Sequence, residues 1–237
     1  MNRRRSGCLI ALLVLLLLVV GVLVVVDRVG VRIAEGRVAD QVAARGGLSS
    51  TPDVQIAGFP FLTQAVSGTY SDIRVHLTAE ELGQPAGTRA DVSLRGVHVP
   101  LSDVLSGSVK QIPVDRVEGT ATLSYALLAQ QLGGNTVISA DGDGIRLTKS
   151  VKVLGVAFDL TATGTVTLAG SDVVVDVQHA SAGAVHVPQA VLTTAEDLLD
   201  FSYRVPELPF GLQLTSVHPA EQGLDVAVQA KNTVLSG

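Results

Sequence analysis

Residues 158–168, FDLTATGTVTL, alternate between apolar and polar side chains over their whole length. A period of two residues is typical of a strand in a sheet with one apolar face and one solvated face. At about 3.3 Å per residue, such a strand would be about 36 Å long. The stretch therefore predicts a β-rich fold with long strands. Its apolar face carries Phe158, Leu160, Ala162, Val166 and Leu168, and its polar face carries Asp159 and four threonines.

Similar alternation recurs on both sides of this stretch. In residues 71–78, the side chains of Ile73, Val75 and Leu77 would share one face of a strand. The abundance of Val outside the N-terminal segment also favours strands. Further strands are predicted at 53–57, 90–99, 114–123, 144–150, 172–178, 212–218 and 223–230.

The alternation within 90–99 changes phase at Arg95-Gly96. Before this point the apolar side chains occupy even positions, and after it they occupy odd positions. We therefore predict a β-bulge there. The residues concerned are Val92 and Leu94, followed by Val97 and Val99.

Three helical segments are predicted, at 27–45, 124–132 and 188–202. In the first, apolar residues recur at helical spacing, so we expect this helix to continue from the N-terminal apolar run and to pack on the domain. Ser124 is expected to cap the second helix. The fold class is therefore α+β, with a long, curved, mainly antiparallel sheet packed on a few helices. The inward residues of the first helix are Val31, Ala34, Val38 and Val42.

The N-terminus predicts one transmembrane helix. Residues 8–26 form an unbroken apolar run, which is long enough to cross a bilayer core of about 30 Å at about 1.5 Å per residue. A cleavable signal peptide would have a shorter apolar region and a small-residue cleavage site. Three arginines precede the run and favour a cytoplasmic N-terminus. We therefore expect a cytoplasmic segment at 1–7, a single-pass anchor at 8–26 and an extracytoplasmic domain at 27–237 in the cell membrane.

Composition and charge restrict the function. The chain has 237 residues, a net charge of −5 and no Trp. A nucleic-acid binder needs a basic face, so no nucleic-acid partner is expected. Cys8 is the only cysteine, which excludes an intramolecular disulfide. Cys8 lies at the start of the apolar run, whereas an acylated Cys follows such a run, so a small apolar residue of the membrane helix is favoured over an acylation site.

No arrangement of residues predicts catalysis. The sequence has neither a G-x-S-x-G elbow nor a P-loop, and its five histidines are dispersed. Residues 141–144, Asp-Gly-Asp-Gly, resemble the start of a calcium loop, but Ile145 stands at the next ligand position and no Glu closes the loop. A hairpin turn explains these residues better. We therefore expect no enzyme activity, no catalytic residue, no metal site and no cofactor.

Residues 58–64, GFPFLTQ, concentrate two of the five Phe residues around one proline. Pro60 has no N–H and biases Phe59 toward an extended conformation, so we expect neither a helix nor a central strand here. The two rings would form either a hydrophobic plug or a rim for acyl chains. "LPFG" at 208–211 allows the same two interpretations. Likewise, the apolar strand faces could form a filled core or a trough for lipid.

The stretch VQIAGFPFLTQAVSGTYSDIRVHL, residues 54–77, resembles the signature of the LmeA-like family of phospholipid-binding proteins of actinobacterial envelopes. Residues 212–232, LQLTSVHPAEQGLDVAVQAKN, resemble the closing hairpin of the family. The residues that match the family pattern are Gly58, Phe59, Pro60, Phe61, Leu62, Thr63, Gln64, Gly68 and Tyr70.

The resemblance implies a non-enzymatic protein that binds a phospholipid or glycolipid in an apolar groove and supports cell-envelope lipid or lipoglycan maintenance. The alternative is an envelope scaffold that docks a protein partner, of unknown identity, through its apolar face. Arg74 and Arg95 are candidates for the lipid head group, because arginine binds phosphate well. The candidate lipid contacts are Phe59, Pro60, Phe61, Leu62, Tyr70, Ile73, Val75, Leu77, Phe158, Leu160 and Phe210.

Overall fold

The computed structural model describes residues 3–106, 109–131, 136–153, 156–170, 172–181, 201–204, 208 and 211–236. The described helices are α1 (Arg3–Gly46), α2 (Phe61–Ser67), α3 (Ala79–Leu82), α4 (Leu101–Ser106) and α5 (Tyr125–Gln131). The described strands are β1 (Asp53–Ala57), β2 (Thr69–Leu77), β3 (Arg89–His98), β4 (Gln111–Ser124), β5 (Thr136–Asp141), β6 (Gly144–Val153), β7 (Val156–Ala169), β8 (Asp172–Ser181), β9 (Phe201–Arg204), β10 (Gln213–Pro219) and β11 (Gly223–Ser236).

The strands form two antiparallel sheets, so the α+β prediction is confirmed. The first sheet has six strands in the order β1-β2-β3-β4-β11-β10, and the second has five in the order β5-β6-β7-β8-β9. The first sheet combines β1 to β4 with β10 and β11 from the end of the chain. The two groups are joined because β11 pairs with β4 along nearly its whole length. The second sheet follows the chain in sequence, and its β5–β6 hairpin turns at Asp141–Gly144, as the Asp-Gly-Asp-Gly sequence predicts.

Helix α1 covers one face of the six-stranded sheet. It runs without a break from the apolar N-terminal segment to Gly46, as predicted. Val31 is buried against the sheet, and Ala34, Val38 and Val42 are packed beside it. Glu35 faces the sheet edge instead of solvent, and its Oε1 accepts a hydrogen bond from the Ile56 N–H at 2.9 Å. This contact satisfies a backbone donor on edge strand β1, so α1 protects that edge as well as the core.

The second hydrophobic core lies between the five-stranded sheet and the far end of the first sheet. Tyr125 of α5 and Val217 and Leu224 of β10 and β11 are buried there with residues of β5 to β8. The predicted helix at 124–132 is confirmed, and the Ser124 Oγ accepts the Leu127 N–H at 3.2 Å. Of the predicted helix at 188–202, residues 188–200 lie outside the described residues. Residues 201–202 belong to β9, so the prediction is wrong at those two positions.

The phase change in β3 is shared by the neighbouring strands. β3 keeps its register with both partners across Gly96, so the predicted single-strand bulge is wrong. Gly96 has a φ of +61°, and Asn232 in β11 has a φ of +49°. In β2, β3, β4 and β11, two successive side chains that face α1 are here separated by two residues instead of one. The row at which this happens consists of Ser71, Gly96, Asp115 and Asn232.

Because each strand contributes one residue to that row, the pairing continues and no strand gains an unpaired residue. The apolar side chains on either side of the row therefore stay on the face that α1 covers. The pairs that show this are Tyr70 and Ile73 in β2, Leu94 and Val97 in β3, and Val114 and Val117 in β4.

Candidate functional site

Phe59, Pro60 and Phe61, the FPF corner, lie between β1 and α2. Pro60 occupies the N-cap of α2 with φ −74° and ψ 141°. The expectation that this segment is not helical is therefore wrong from Phe61 onward. The physical reason is that the first backbone N–H groups of a helix have no intrahelical partner, so a proline here removes no helical hydrogen bond.

Asp27 of α1 holds the start of α2 in place. Its side chain is only 2% exposed, and its Oδ1 accepts the Leu62 N–H at 2.8 Å. That N–H is one of the donors that α2 cannot satisfy internally. The second carboxylate oxygen, Oδ2, lies 3.8 Å from an Arg28 guanidinium nitrogen. The residue that directly follows the apolar run is therefore the acceptor that fixes α2 against α1.

The two phenylalanines of the corner have different surroundings. Phe61 is 7% exposed, and its ring lies 6.2 Å from that of Tyr70. A Cβ at Gly30 of α1 would lie 3.5 Å from the Phe61 ring, which is an ordinary van der Waals distance, so the ring packs directly against α1. Phe59 is 60% exposed, and the Arg28 guanidinium lies 4.9 Å from the centre of its ring. Phe61 therefore belongs to the core, and Phe59 presents an aromatic ring at the surface.

Gln64 ties the turn together. Its Oε1 accepts the Ser71 N–H at 2.9 Å, and its Nε2 donates to the Ala57 carbonyl at 3.2 Å. Gly58 has a φ of +105°, and a Cβ there would lie 2.6 Å from the Gln64 Nε2. Gly68 ends α2 in the left-handed region. The Gly and Gln positions of the motif therefore have a structural role, which is to close the corner.

Most of the other predicted lipid contacts lie behind the corner. Ile73 and Val75 are buried beneath α1, and Leu62, Tyr70 and Leu77 are packed against the same core. Burial raises the pKa of Tyr70. Within the described residues, these side chains line a filled interface. Leu160 lies in the second sheet and is half-buried. The Phe158 side chain and Phe210 lie outside the described residues, so those two predictions concern parts of the chain that are not placed.

The predicted head-group arginines lie on the opposite face of the six-stranded sheet. Arg74 Nε lies 2.8 Å from an oxygen of Asp72, and Arg95 lies 3.2 Å from an oxygen of Glu118. Cross-strand pairing places Arg95, Arg116 and Lys231 side by side, and we call these three residues the cation row. Like charges opposite one another on a sheet destabilise it. Sequence reasoning missed Arg116 and Lys231, because their neighbourhood depends on strand register.

An open groove of about 450 Å³ lies on this same polar face, one row further along the strands. Most of its lining residues are polar or charged, but most of the surface that they present to the groove is apolar, so the groove can receive both polar and apolar groups. Its lining residues are Arg74, His76, Asp91, Val92, Ser93, Glu118, Gly119, Thr120, Thr215, Ala227, Val228 and Gln229.

Two histidines on this face pair with carboxylates. The His76 Nδ1 lies 2.5 Å from an Asp91 oxygen, and the His98 Nε2 lies 3.2 Å from an Asp115 oxygen. The described part of the chain holds no group of three or more His, Cys, Asp or Glu side chains that could bind a metal ion. These histidines therefore form pairs with single carboxylates, and no described residue adds a third metal ligand.

The first part of α1 is exposed and apolar enough to cross a membrane by length and composition. An N-terminal helix of this kind serves either as a membrane anchor or as a signal sequence. The end of the apolar run and the FPF corner are joined through Asp27 and Leu62. The corner is therefore located where the apolar segment ends and the folded part of the chain begins.

No curated protein and no solved structure matches the chain. The family model described as LmeA-like phospholipid-binding matches residues 25–229, which include the FPF corner, the cation row up to Arg116 and all the described strands except part of β11. This match covers most of the chain and begins at the end of the apolar run. The chain therefore belongs to the LmeA-like phospholipid-binding family.

Proposed function

We propose that this protein binds a phospholipid or glycolipid outside the cytoplasm, without catalysing a reaction, and so supports the maintenance of cell-envelope lipids or lipoglycans. Residues 8–26 anchor it in the cell membrane, with residues 1–7 in the cytoplasm and 27–237 outside. The observation that carries the proposal is the phospholipid-binding family match over residues 25–229. The three N-terminal arginines support the orientation.

The acyl chains make their first contact at the FPF corner. Phe59 supports this, because its ring is exposed while the residues around it belong to the core. Pro60 is exposed beside it, whereas Phe61, Leu62, Tyr70, Ile73, Val75 and Leu77 form the core that α1 covers, so a lipid reaches these six residues only where α1 separates from the sheet. Each CH₂ group that leaves water contributes about 0.8 kcal/mol, so methylene groups that pack on the exposed Phe59 ring contribute to lipid binding.

The head group binds on the polar face. Arg74 lines the groove there, and the cation row lies one row away. Glu118 is shared, because its carboxylate lies 3.2 Å from Arg95 and 3.4 Å from Arg116. One carboxylate between two guanidinium groups leaves positive charge for a phosphate, which arginine binds with charge-assisted hydrogen bonds.

Native mass spectrometry of the full chain in detergent micelles, before and after solvent extraction, tests this proposal. We expect a bound mass in the phospholipid or glycolipid range that extraction removes. Phe59→Asp should lose that mass while keeping its fold by circular dichroism. Val137→Asp is the matched control, because Val137 is also exposed but lies in β5 of the second sheet. Equal lipid retention by the two variants would contradict a contact at Phe59.

The second candidate function is a scaffold that docks a protein partner. The packing of α1 on the six-stranded sheet favours it, because the described apolar strand faces there are already covered. A folded, lipid-free wild-type chain in the same mass spectra, with a stable protein partner retained, would support the scaffold over the lipid-binding function.

A further inference from the structure

Exposed apolar side chains are concentrated at one end of the molecule. Outside the apolar run, the large hydrophobic side chains that are exposed in the described part of the chain are Val29, Ile33, Phe59, Val66, Val104, Val137 and Val234. Val29 and Ile33 lie on α1 just after the apolar run. Val137 is the exception, because it lies in the second sheet. The other four come from four different elements.

Strand pairing places these four at the same end of the six-stranded sheet. The start of β2 pairs with the end of β3, where Thr69 lies opposite His98. Val66 on α2 and Val104 on α4 therefore lie in elements that leave the sheet at neighbouring points, and these helices contact each other. In β11, Val234 pairs with Pro113 at the start of β4, which is the same end. We call Phe59, Val66, Val104 and Val234 the apolar end.

The apolar end lies at the level where the apolar run of α1 stops. The run ends at Val26, and the next residue, Asp27, accepts a hydrogen bond from the Leu62 N–H at the start of α2, at 2.8 Å. The start of α2 is thus in contact with the helix residue that follows the apolar run. Residues 8–26 span about 28 Å at about 1.5 Å per residue, close to the thickness of a bilayer core. A bilayer crossed by this run would have its surface beside α2.

The chemistry of the apolar end matches a membrane interface. Phe side chains face the apolar side of interfacial segments, and arginines near helix ends extend toward the phosphates. Arg28 lies over the Phe59 ring at 4.9 Å, which pairs a cation with an aromatic ring at this level. Scattered valines are normal on a protein surface, but a cluster with an aromatic residue beside an apolar helix is typical of a membrane contact.

We infer that the apolar end rests on the bilayer that α1 crosses, with Phe59, Val66, Val104 and Val234 in the boundary between head groups and acyl chains. Interfacial apolar side chains of this kind reach about 5–10 Å into that boundary. This contact keeps the FPF corner next to the lipids of the bilayer. The inference rests on the proposed anchoring by residues 8–26.

Single-tryptophan fluorescence tests the inference directly, because the chain contains no Trp. Phe59→Trp, Val66→Trp, Val104→Trp and, as the control, Val137→Trp are made in the full chain. Each is reconstituted in vesicles of phosphatidylcholine and phosphatidylglycerol, with or without phosphatidylcholine brominated along its acyl chains. These positions are exposed, 76% in the case of Val66, so the larger ring fits without repacking the core.

We expect bromine to quench Trp at 59, 66 and 104, and bromines near the glycerol to quench more than those near the chain ends. Trp at 137 should stay unquenched. If 59, 66 and 104 are quenched no more than 137, the inference is overturned. Quenching at 59 alone would also overturn it, because one bound lipid explains that result. Quenching at all three sites in a chain that retains no lipid in mass spectra would leave the membrane contact intact and contradict the proposed lipid binding.

Discussion

Replacing Asp27 by Ala tests the contact between α1 and α2. The variant removes the carboxylate oxygen that accepts the Leu62 N–H at 2.8 Å, and the side chain is 2% exposed, so water cannot easily replace the oxygen. A buried donor left without a partner costs about 1–3 kcal/mol. That cost corresponds to an increase of about 5- to 150-fold in the population of the opened α2 segment.

Hydrogen–deuterium exchange of the full chain in detergent measures this change, because the α2 peptide reports local opening. Asp27→Asn is the matched control. Asn keeps an oxygen acceptor of the same length for the Leu62 N–H, and losing the charge next to a half-exposed Arg28 at 3.8 Å costs about 0–1 kcal/mol. Asn also places an NH₂ group where the buried Oδ2 has no hydrogen-bond partner, so Asp27→Asn should lose some stability, but less than Asp27→Ala. We expect faster exchange in α2 for Asp27→Ala than for Asp27→Asn, with little change in β7. Equal exchange in the two variants would refute the assigned role of the Asp27 oxygen.

Three further predictions follow from the corner, the polar face and the second core. Gly58→Ala should lower the free energy of unfolding by about 1–3 kcal/mol, because a Cβ there would lie 2.6 Å from Gln64, whereas Gly142→Ala has open space and should lose less in urea titrations. The double variant Arg116→Gln with Lys231→Gln, in detergent micelles, should bind phosphatidylglycerol more weakly and with less salt dependence than Arg89→Gln, a control in β3 outside the cation row. Burial and the Asp225 carboxylate raise the pKa of Tyr125 in the folded protein. The protonated hydroxyl therefore stabilises the fold below the ordinary pKa of about 10, and this stability is lost as the pH rises through the higher folded pKa. Tyr125→Phe should reduce the fall in unfolding free energy above pH 10, and an unchanged fall would contradict this assignment.

The sequence predicts the elements that carry their own periodicity. The alternation in 158–168 is sufficient to identify β7, and the spacing of Val31, Ala34 and Val38 correctly predicts the face of α1 that packs on the sheet. The helical pattern repeats over more than two turns and the strand pattern over eleven residues, and patterns of this length are a strong signal of secondary structure. The sequence does not predict β5, at Thr136–Asp141, because this strand has only six residues and offers little periodicity.

The features that depend on distant residues were not predictable from local patterns. The pairing of β11 with β4 places β10 and β11 in the first sheet, apart from β5 to β9 in the second. The local sequence of neither strand indicates this pairing. The same pairing creates the cation row. The phase change at Gly96 was visible in the sequence, but its cause was not, since Ser71, Asp115 and Asn232 take part in it from other strands.

The composition of the FPF corner identifies it in the sequence, but its conformation differs from the expectation. Pro60 argues against a helix interior, whereas proline is compatible with the helix start that it occupies. The Leu62 N–H next to the corner donates to Asp27 of α1, which lies 35 positions earlier in the sequence. One signal was available, because Asp27 is a charged residue on the same helical face as Val31, Ala34 and Val38. A carboxylate on an apolar face needs a buried partner.

The most direct test of the central claim, that a lipid contacts the FPF corner, is photocrosslinking. The full chain in detergent is loaded with a phosphatidylglycerol that carries a diazirine on one acyl chain, irradiated, digested and mapped by mass spectrometry. The account predicts crosslinks in the segment from Ala57 to Tyr70, and their loss in Phe59→Asp but not in Val137→Asp. Crosslinks confined to the second sheet, with none in that segment, would contradict it.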